Sequence, residues 1–128
     1  MEPKILIVDD EPHIRLLMEQ TLEELEDAGV EILTAGDGEE AQEIIQEERP
    51  AVVFLDVMMP KKNGFEVCAA VKQTPGLEDV YIIMLTAKGQ EYDRQKGNEV
   101  GADVYITKPF DPDEVLEKAA ERLGITLD

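Results

Sequence analysis

The sequence predicts an α/β domain built on a doubly wound, five-stranded parallel sheet. Five short apolar runs recur along the 128 residues, and each is followed by a polar or helix-periodic segment. The runs are almost continuously apolar, which is typical of parallel strands that are covered by helices on both faces. The length fits one domain over residues 1–128, with a core that buries about two-thirds of the unfolded surface.

A change of period marks the first strand and helix. The apolar run 5–8 is followed by residues that recur at steps of three and four, which is the period of a helix with one buried face. These residues are Ile14, Leu17, Met18, Leu22 and Leu25. We therefore expect one amphipathic helix that ends at Gly29.

Glycine and proline mark the limits of the next two strand and helix pairs. A strand at 31–35 precedes the turn 36–38, and Pro50 stops the helix that this turn opens. A strand at 51–55 precedes a helix that begins near Gly64. The residues expected to face the core are Ala41, Ile44 and Ile45 in the first helix and Val67, Cys68 and Val71 in the second.

The last two pairs differ in the strength of their helices. A fourth strand at 80–85 is followed by a polar segment, in which Gly97 and Asn98 are poor helix formers, so we expect a marginal helix there. A fifth strand at 104–107 precedes Asp111 and Pro112, which open a last helix. Its inward residues are expected to be Leu116, Ala119 and Leu123.

Ionisable and hydroxyl side chains stand where four of the five predicted strands end. They are Asp9, Asp10, Asp56, Thr86 and Lys108. The carboxyl ends of parallel strands meet at one edge of the sheet, where doubly wound folds bind their ligands. The sequence therefore places these five side chains in one pocket.

This set of groups favours phosphoryl chemistry with a bound cation. Three carboxylates within about 4 Å repel one another by several kcal/mol per pair, more than Lys108 alone offsets. Oxygen ligands without a nearby His or Cys favour Mg²⁺. A metal, an ammonium and the Thr86 hydroxyl suit a phosphoryl group in transfer, and Asp56, central in the sheet, is the expected nucleophile.

Composition excludes several classes of function. Thirty acidic and twelve basic residues give a net charge of −18, which opposes nucleic-acid binding by this domain. No apolar run is long enough to span a membrane, and the start of the chain has no signal-peptide pattern. One cysteine, Cys68, suits a reducing compartment. We expect a cytoplasmic domain that contacts neither membrane nor nucleic acid.

Over nearly its whole length the chain resembles the receiver domains of two-component response regulators. The residues that carry the resemblance are Asp9-Asp10-Glu11, Asp56-Val57-Met58-Met59-Pro60 with Gly64, Thr86-Ala87, Tyr105 and Lys108-Pro109-Phe110. Their order and separations match the family, so the set is far more specific than any single motif. The resemblance implies a flavodoxin-like (βα)5 fold with strand order 2-1-3-4-5.

The resemblance also implies a role for each motif residue. Asp56 is the phosphorylation site and takes its phosphoryl group from a sensor histidine kinase or a phosphotransfer protein. Mg²⁺ is held by Asp10, Asp56 and the Met58 carbonyl, with Asp9 acting through a bound water. Such a chain is a signalling phosphoacceptor that slowly dephosphorylates itself, not an enzyme acting on other substrates.

Further implied roles concern the phosphoryl contacts and the switch. Lys108, Thr86 and Ala87 contact the phosphoryl group, and the Lys108–Pro109 bond is cis. Thr86 and Tyr105 are the switch pair, and Tyr105 turns inward on activation. The output face, which binds a downstream protein, comprises the helix after the fourth strand, the fifth strand and the last helix. The chain is expected to be a monomer or a phosphorylation-promoted dimer.

Two departures from the family pattern lead to further expectations. Lys62 replaces an apolar residue before the Asn-Gly turn, so we expect looser packing of the loop beside Asp56. Met58 and Lys88, two residues beyond Asp56 and Thr86, predict a moderately long-lived phosphoryl group.

Other functions remain as alternatives. A degenerate receiver would bind partners without phosphorylation. A haloacid-dehalogenase type of enzyme would have a second Asp where this chain has Met58, and a flavin carrier would need a Gly-rich loop in place of Asp9-Asp10-Glu11. A cobalamin-binding domain would need a Gly three residues after a ligand His, whereas His13 is followed there by Leu16. A single-domain regulator and a receiver cut from a longer protein are both compatible with the sequence.

Overall fold

A computed structural model of the chain describes residues 2–87 and 91–127. Its centre is a five-stranded sheet in which every neighbouring pair is parallel and the order is β2-β1-β3-β4-β5. The strands are β1 (Lys4–Val8), β2 (Glu31–Ala35), β3 (Val52–Asp56), β4 (Tyr81–Ala87) and β5 (Val104–Lys108). The predicted flavodoxin-like fold and its strand order are confirmed.

Helices cover both faces of the sheet. They are α1 (Pro12–Thr21), α2 (Glu23–Asp27), α3 (Gly38–Glu48), α4 (Gly64–Lys72), α5 (Glu91–Val100) and α6 (Pro112–Leu123). Their starts follow the local sequence, because Pro12 and Pro112 open α1 and α6, and the Asp37 and Asn63 side chains cap α3 and α4. Within the described ranges no helix is both long and apolar enough to cross a bilayer.

The single helix expected up to Gly29 is wrong, because the structure divides it into α1 and α2. The break lies at Leu22, whose φ of −95° and ψ of 7° leave the helical region. Just before it, the Thr21 hydroxyl donates a hydrogen bond of 2.8 Å to the Leu17 carbonyl, a side-chain contact that competes with regular helix geometry.

Leu17 was also expected to be buried, but its side chain is 43% exposed. Met18, Leu22 and Leu25 are fully buried, so the buried stripe advances by four and then three residues. Leu17 lies about 100° around the helix from Met18 and falls outside that stripe. The period was therefore correct, and only the edge of the buried face was misplaced.

The core divides into two clusters, one on each face of the sheet. Alternate residues of a strand point to opposite faces, so Leu6 and Val8 join α3 and α4, whereas Ile5 and Ile7 join α1, α2 and α6. The main helical contributions are Ala41, Ile45, Val67, Cys68 and Val71 on the first face and Met18, Leu22, Leu25, Val115 and Ala119 on the second. All five strands are thereby fixed in register, which brings their carboxyl ends to one edge.

The polar segment after β4 forms a regular helix of ten residues, α5, despite Gly97 and Asn98. Asn98 is part of the reason, because its side-chain oxygen accepts a hydrogen bond of 2.7 Å from the Tyr105 hydroxyl on β5. Lys96 and Glu99 add an ion pair of 3.8 Å along the helix. Contacts to its neighbours thus offset the poor helix propensity of the segment.

Candidate functional site

The sheet register brings the predicted site residues to one edge. Asp9 follows the last residue of β1, Asp56 ends β3, and Lys108 ends β5. Thr86 is next to Leu85, which pairs with Asp56 across the sheet. Asp9, Asp56 and Thr86 are also the buried polar residues of the described chain, with 0%, 5% and 3% exposure. Such burial of carboxylates is costly unless they have partners.

Asp9 is held at every polar atom. Its Oδ1 accepts a hydrogen bond of 3.0 Å from the Glu11 N–H, and its Oδ2 accepts one of 2.8 Å from Lys108 Nζ. Its main-chain N–H donates to the Ala35 carbonyl at 3.2 Å, and its carbonyl accepts a hydrogen bond of 2.6 Å from Arg15. Asp9 is therefore a fixed anion at the floor of the site.

Lys108 bridges Asp9 and Asp56. Its ammonium lies 2.8 Å from Asp9 Oδ2 and 3.2 Å from Asp56 Oδ1, and Asp56 Oδ1 also accepts a hydrogen bond of 3.3 Å from the Met58 N–H. Burial lowers the pKa of Lys108, but the hydrogen bond to Asp9 and the charge of Asp56 outweigh burial and leave that pKa raised. Lys108 is consequently a permanent cation in this site.

The Lys108 ammonium does not fully offset the effects of burial and of Asp9 on the Asp56 carboxyl. Burial and, after it, repulsion by Asp9 raise the pKa of the Asp56 carboxyl to about 6, because together they outweigh Lys108 and the Met58 N–H, which lower it. An additional cation beside such a carboxyl would stabilise it, because a nearby positive charge favours the ionised form. The electrostatics of the pocket therefore favour cation binding.

The carboxylates are arranged in a way that fits Mg²⁺. Ligand oxygens of Asp9, Asp10 and Asp56 all lie within 4.8 Å of one another. The donors are hard oxygens, and Asp10 is exposed at the mouth of the pocket, which leaves room for the waters that Mg²⁺ retains. Both oxygens of Asp9 already accept protein hydrogen bonds, so Asp10 and Asp56 are better placed to offer direct ligands.

The loop after Asp56 packs tightly because of Gly64. A Cβ atom at this position would collide with the main-chain carbonyl of Asp56 and would lie 3.0 Å from the Val57 Cα. The Gly64 N–H donates to the Val57 carbonyl at 2.9 Å, and a capping box of Asn63 and Glu66 fixes the start of α4. The glycine is therefore needed for the close approach of α4 to Asp56.

The expectation that Lys62 loosens this loop is wrong. Its main chain and Cβ pack so closely on Gly38 that no side chain would fit there, and its ammonium donates to the Gln42 side chain at 2.9 Å. The alkyl stem thus takes the place of an apolar residue. The neighbouring Lys61 has a φ of +68°, which is strained for a residue with a Cβ.

The remaining predicted positions lie around this pocket. Tyr105 is half-buried against the α3–α4 side of the core, and its hydroxyl binds Asn98. The Met58 side chain is 76% exposed, and the Lys108–Pro109 bond is cis as the resemblance implied. Ala87 ends β4, whereas Lys88, expected to affect phosphoryl lifetime, lies outside the described residues.

Sequence reasoning missed two residues around the site, Arg15 and Glu40. Arg15 reaches from α1 to the carbonyl of Asp9, and Glu40 accepts a hydrogen bond of 2.7 Å from the Gly36 N–H in the adjoining loop. An arginine one helical turn after an acidic pair is a weak signal, because surface arginines are common. Only the three-dimensional contacts single it out.

Known proteins are similar to this chain in both sequence and fold. The transcriptional regulatory protein PhoP of Bacillus subtilis, named for alkaline phosphatase synthesis, is 47% identical over 115 residues, which are 90% of this chain and 46% of PhoP. The chain thus spans about half the length of the curated relatives it matches. A putative response regulator from Chloroflexus aurantiacus superposes with a TM-score of 0.86 at 34% identity, covering 97% of this chain and 99% of that one.

A chemotaxis response regulator, CheY4 of Vibrio cholerae, superposes with a TM-score of 0.83 at 37% identity, covering 95% of this chain and 99% of that one. A family model described as the response regulator receiver domain matches residues 5–120. That span includes all the strand ends described above and the loops that follow them. By its sequence, its fold and the residues of its pocket, the chain belongs to the family of response regulator receiver domains.

Proposed function

We propose that Asp56 accepts a phosphoryl group from a phosphohistidine of a sensor histidine kinase or phosphotransfer protein, in a Mg²⁺-dependent reaction. The observation that carries the proposal is the Lys108 ammonium, which lies within 3.2 Å of Asp56 and 2.8 Å of Asp9 beside a cluster of three carboxylates. This combination supplies a nucleophile, a cation ligand set and a partner for phosphoryl oxygens at one edge of the sheet.

The groups of the pocket have complementary roles in the transfer. An Asp56 carboxylate oxygen attacks phosphorus as the P–N bond to histidine breaks, and the imidazole leaves with the electron pair. Lys108 is already within hydrogen-bonding distance of the attacking carboxylate and would pair with a phosphoryl oxygen. Mg²⁺ bound by Asp10, Asp56 and the Met58 carbonyl would supply the positive charge that offsets the charge of the phosphoryl oxygens.

Phosphorylation would then shift the balance between two packings of the domain. Thr86 is buried next to Asp56, and its hydroxyl would bind the phosphoryl group together with the main chain of Ala87. Movement of Thr86 would free space for the Tyr105 ring, which lies two strands from Asp56. The output face formed by α5, β5 and α6 would change with it, a population shift biased by one covalent charge.

The net charge and the relatives support a protein as the downstream partner. A chain with a net charge of −18 favours a protein target on the output face over direct contact with nucleic acid. PhoP is named as a transcriptional regulator and CheY4 as a chemotaxis protein, so a longer regulator and a stand-alone one both remain candidates. In either case we expect a cytoplasmic location and either a monomer or a phosphorylation-promoted dimer.

Acetyl phosphate with Mg²⁺ tests the chemistry without a kinase. Intact-mass spectrometry should find one phosphoryl adduct on the wild-type chain and none on Asp56→Asn. Asp37→Asn is the matched control, because asparagine caps α3 as well as aspartate does and Asp37 lies outside the carboxylate cluster. The control should be phosphorylated like the wild type, and its adduct should decay slowly as the acyl phosphate hydrolyses.

The same experiment distinguishes phosphoryl transfer to Asp56 from the alternative of a degenerate receiver. A degenerate receiver that binds partners without phosphorylation would give no adduct on the wild-type chain at any Mg²⁺ concentration. An adduct that survives in Asp56→Asn would instead place the phosphoacceptor elsewhere in the chain.

A further inference from the structure

We propose that Arg15 is a positioning residue for the Mg²⁺ site and that it acts by fixing the peptide between Asp9 and Asp10. Its guanidinium donates a hydrogen bond of 2.6 Å to the main-chain carbonyl of Asp9. This inference rests on the proposed function, because the metal concerned is the one that phosphoryl transfer to Asp56 would require.

The contact bears on Asp10 because a peptide group is planar. Holding the Asp9 carbonyl also sets the position of the Asp10 nitrogen, and so the direction from which the Asp10 side chain departs. Asp10 is exposed, and its carboxylate accepts no hydrogen bond from residues 2–87 or 91–127. The orientation of this carboxylate therefore depends on the main chain that precedes it.

Arg15 is itself held in place. A helical side chain points towards the start of its helix, which directs Arg15 from α1 back to the β1–α1 loop. The same Nη1 atom that donates to Asp9 also lies against Gly36, where an added Cβ atom would be 3.3 Å away. The Gly36 N–H is fixed in turn by Glu40 at 2.7 Å. The guanidinium thus lies between two loops and makes a fixed contact.

Helix stability does not account for an arginine at this position. A cation in the first turns of a helix opposes the helix dipole, and the first turn of α1 contains no acidic residue to compensate. A positive charge next to a cation site also weakens metal binding through repulsion. The two roles therefore predict opposite results. Removing a mere charge would tighten Mg²⁺ binding, whereas removing a positioning contact would weaken it.

Mg²⁺ titration of the 128-residue chain, followed by backbone amide NMR shifts, distinguishes these results. Arg15→Met keeps the apolar stem but loses the donor and the charge, and it should bind Mg²⁺ about tenfold more weakly than the wild type, as when outer-shell partners of metal ligands are removed. Arg15→Lys retains a donor and should recover most of that loss. Arg122→Met removes the same charge beside Tyr81, outside the pocket, and should leave the affinity unchanged.

A second measurement needs no metal. The Glu11 N–H donates to Asp9 Oδ1, so its hydrogen exchange reports on the order of the Asp9 loop. Exchange at Glu11 should be several-fold faster in Arg15→Met than in the wild type and unchanged in Arg122→Met. If Arg15→Met does not fold, Arg15→Gln, which keeps an uncharged donor on a shorter side chain, is measured by the same two methods. It should bind Mg²⁺ more weakly than Arg15→Lys and exchange faster at Glu11 than the wild type.

The outcomes separate the two proposals. Equal or tighter Mg²⁺ binding by Arg15→Met or Arg15→Gln, or unchanged Glu11 exchange, would overturn the positioning role while the proposed function stands. A wild-type chain that binds no Mg²⁺ would overturn both.

Discussion

Replacement of Asp56 by asparagine should stabilise the metal-free protein at neutral pH. Asp56 is 5% exposed, and its carboxylate lies near the fixed anion Asp9. Asparagine has nearly the same volume and no charge, so it removes the repulsion and the cost of burying an anion. The site residue that we assign to chemistry is thus expected to reduce the stability of the fold.

The size of the effect follows from the pKa. Burial and Asp9 raise the pKa of Asp56 from 3.8 to about 6, a shift equivalent to about 3 kcal/mol at 1.4 kcal/mol per unit. Since the folded state binds this proton more tightly than the unfolded state, wild-type stability falls as the pH rises from about 4 to about 6. Asp56→Asn does not lose stability in this range. The variant should therefore be as stable as the wild type near pH 4 and more stable by the full amount near pH 7.

Urea unfolding followed by circular dichroism, with a chelator present, measures this difference at several pH values. Asp37→Asn is the control of opposite sign. The hydrogen bond from the Glu40 N–H lowers the pKa of Asp37, so its charge helps the folded state above the unfolded pKa and that variant should gain nothing at neutral pH. Mg²⁺ should stabilise the wild type and not Asp56→Asn. A gain for Asp56→Asn that is equal near pH 4 and pH 7 would refute the electrostatic argument.

Three further changes should have measurable effects on stability or on the site. Gly64→Ala should cost about 2 kcal/mol in unfolding and slow phosphorylation by acetyl phosphate, because its Cβ collides with the Asp56 carbonyl. Lys61→Gly should raise the free energy of unfolding by about 0.5–1 kcal/mol, because glycine relieves the φ of +68°. Tyr105→Phe should lower the free energy of unfolding by about 0.5–1 kcal/mol and speed amide exchange in α5, because it removes the hydrogen bond to Asn98.

The lysine and tyrosine changes each have a control in the chain. Lys62→Gly should destabilise where Lys61→Gly stabilises, because Lys62 packs on α3 and binds Gln42. Tyr81→Phe should leave exchange in α5 unchanged, since the described hydrogen bonds include none from that hydroxyl. Wild-type phosphorylation in Gly64→Ala, or equal effects of the two lysine changes or of the two tyrosine changes, would contradict the packing and hydrogen bonding described here.

Much of the fold was predictable because strand burial and turn residues are local signals. The strands matched to within a residue or two at their ends, and Asp37, Gly64 and Pro112 marked helix starts as expected. The gathering of Asp9 and Asp56 at one edge followed from the parallel sheet, a rule of topology that needs no side-chain detail.

The rest depended on contacts between residues distant in the sequence. The close contact of Lys62 with Gly38 joins two loops, and the bond from Tyr105 to Asn98 supports a helix that propensity alone would not. The break at Leu22 reflects local main-chain geometry that the period of three and four does not resolve. Packing between loops and small changes of helix geometry leave little trace in a single sequence.

The strand order has a consequence for engineering. The acidic residues of the pocket, Asp9, Asp10 and Asp56, lie at the ends of β1 and β3 in the interior of the sheet, whereas Tyr105 is on β5 at its edge. Altering the outer surface of β5, α5 and α6 would therefore leave the acidic pocket almost intact. The domain could be redesigned to bind a new partner through that surface while its acidic pocket is kept, provided that Lys108, which belongs to both regions, is retained.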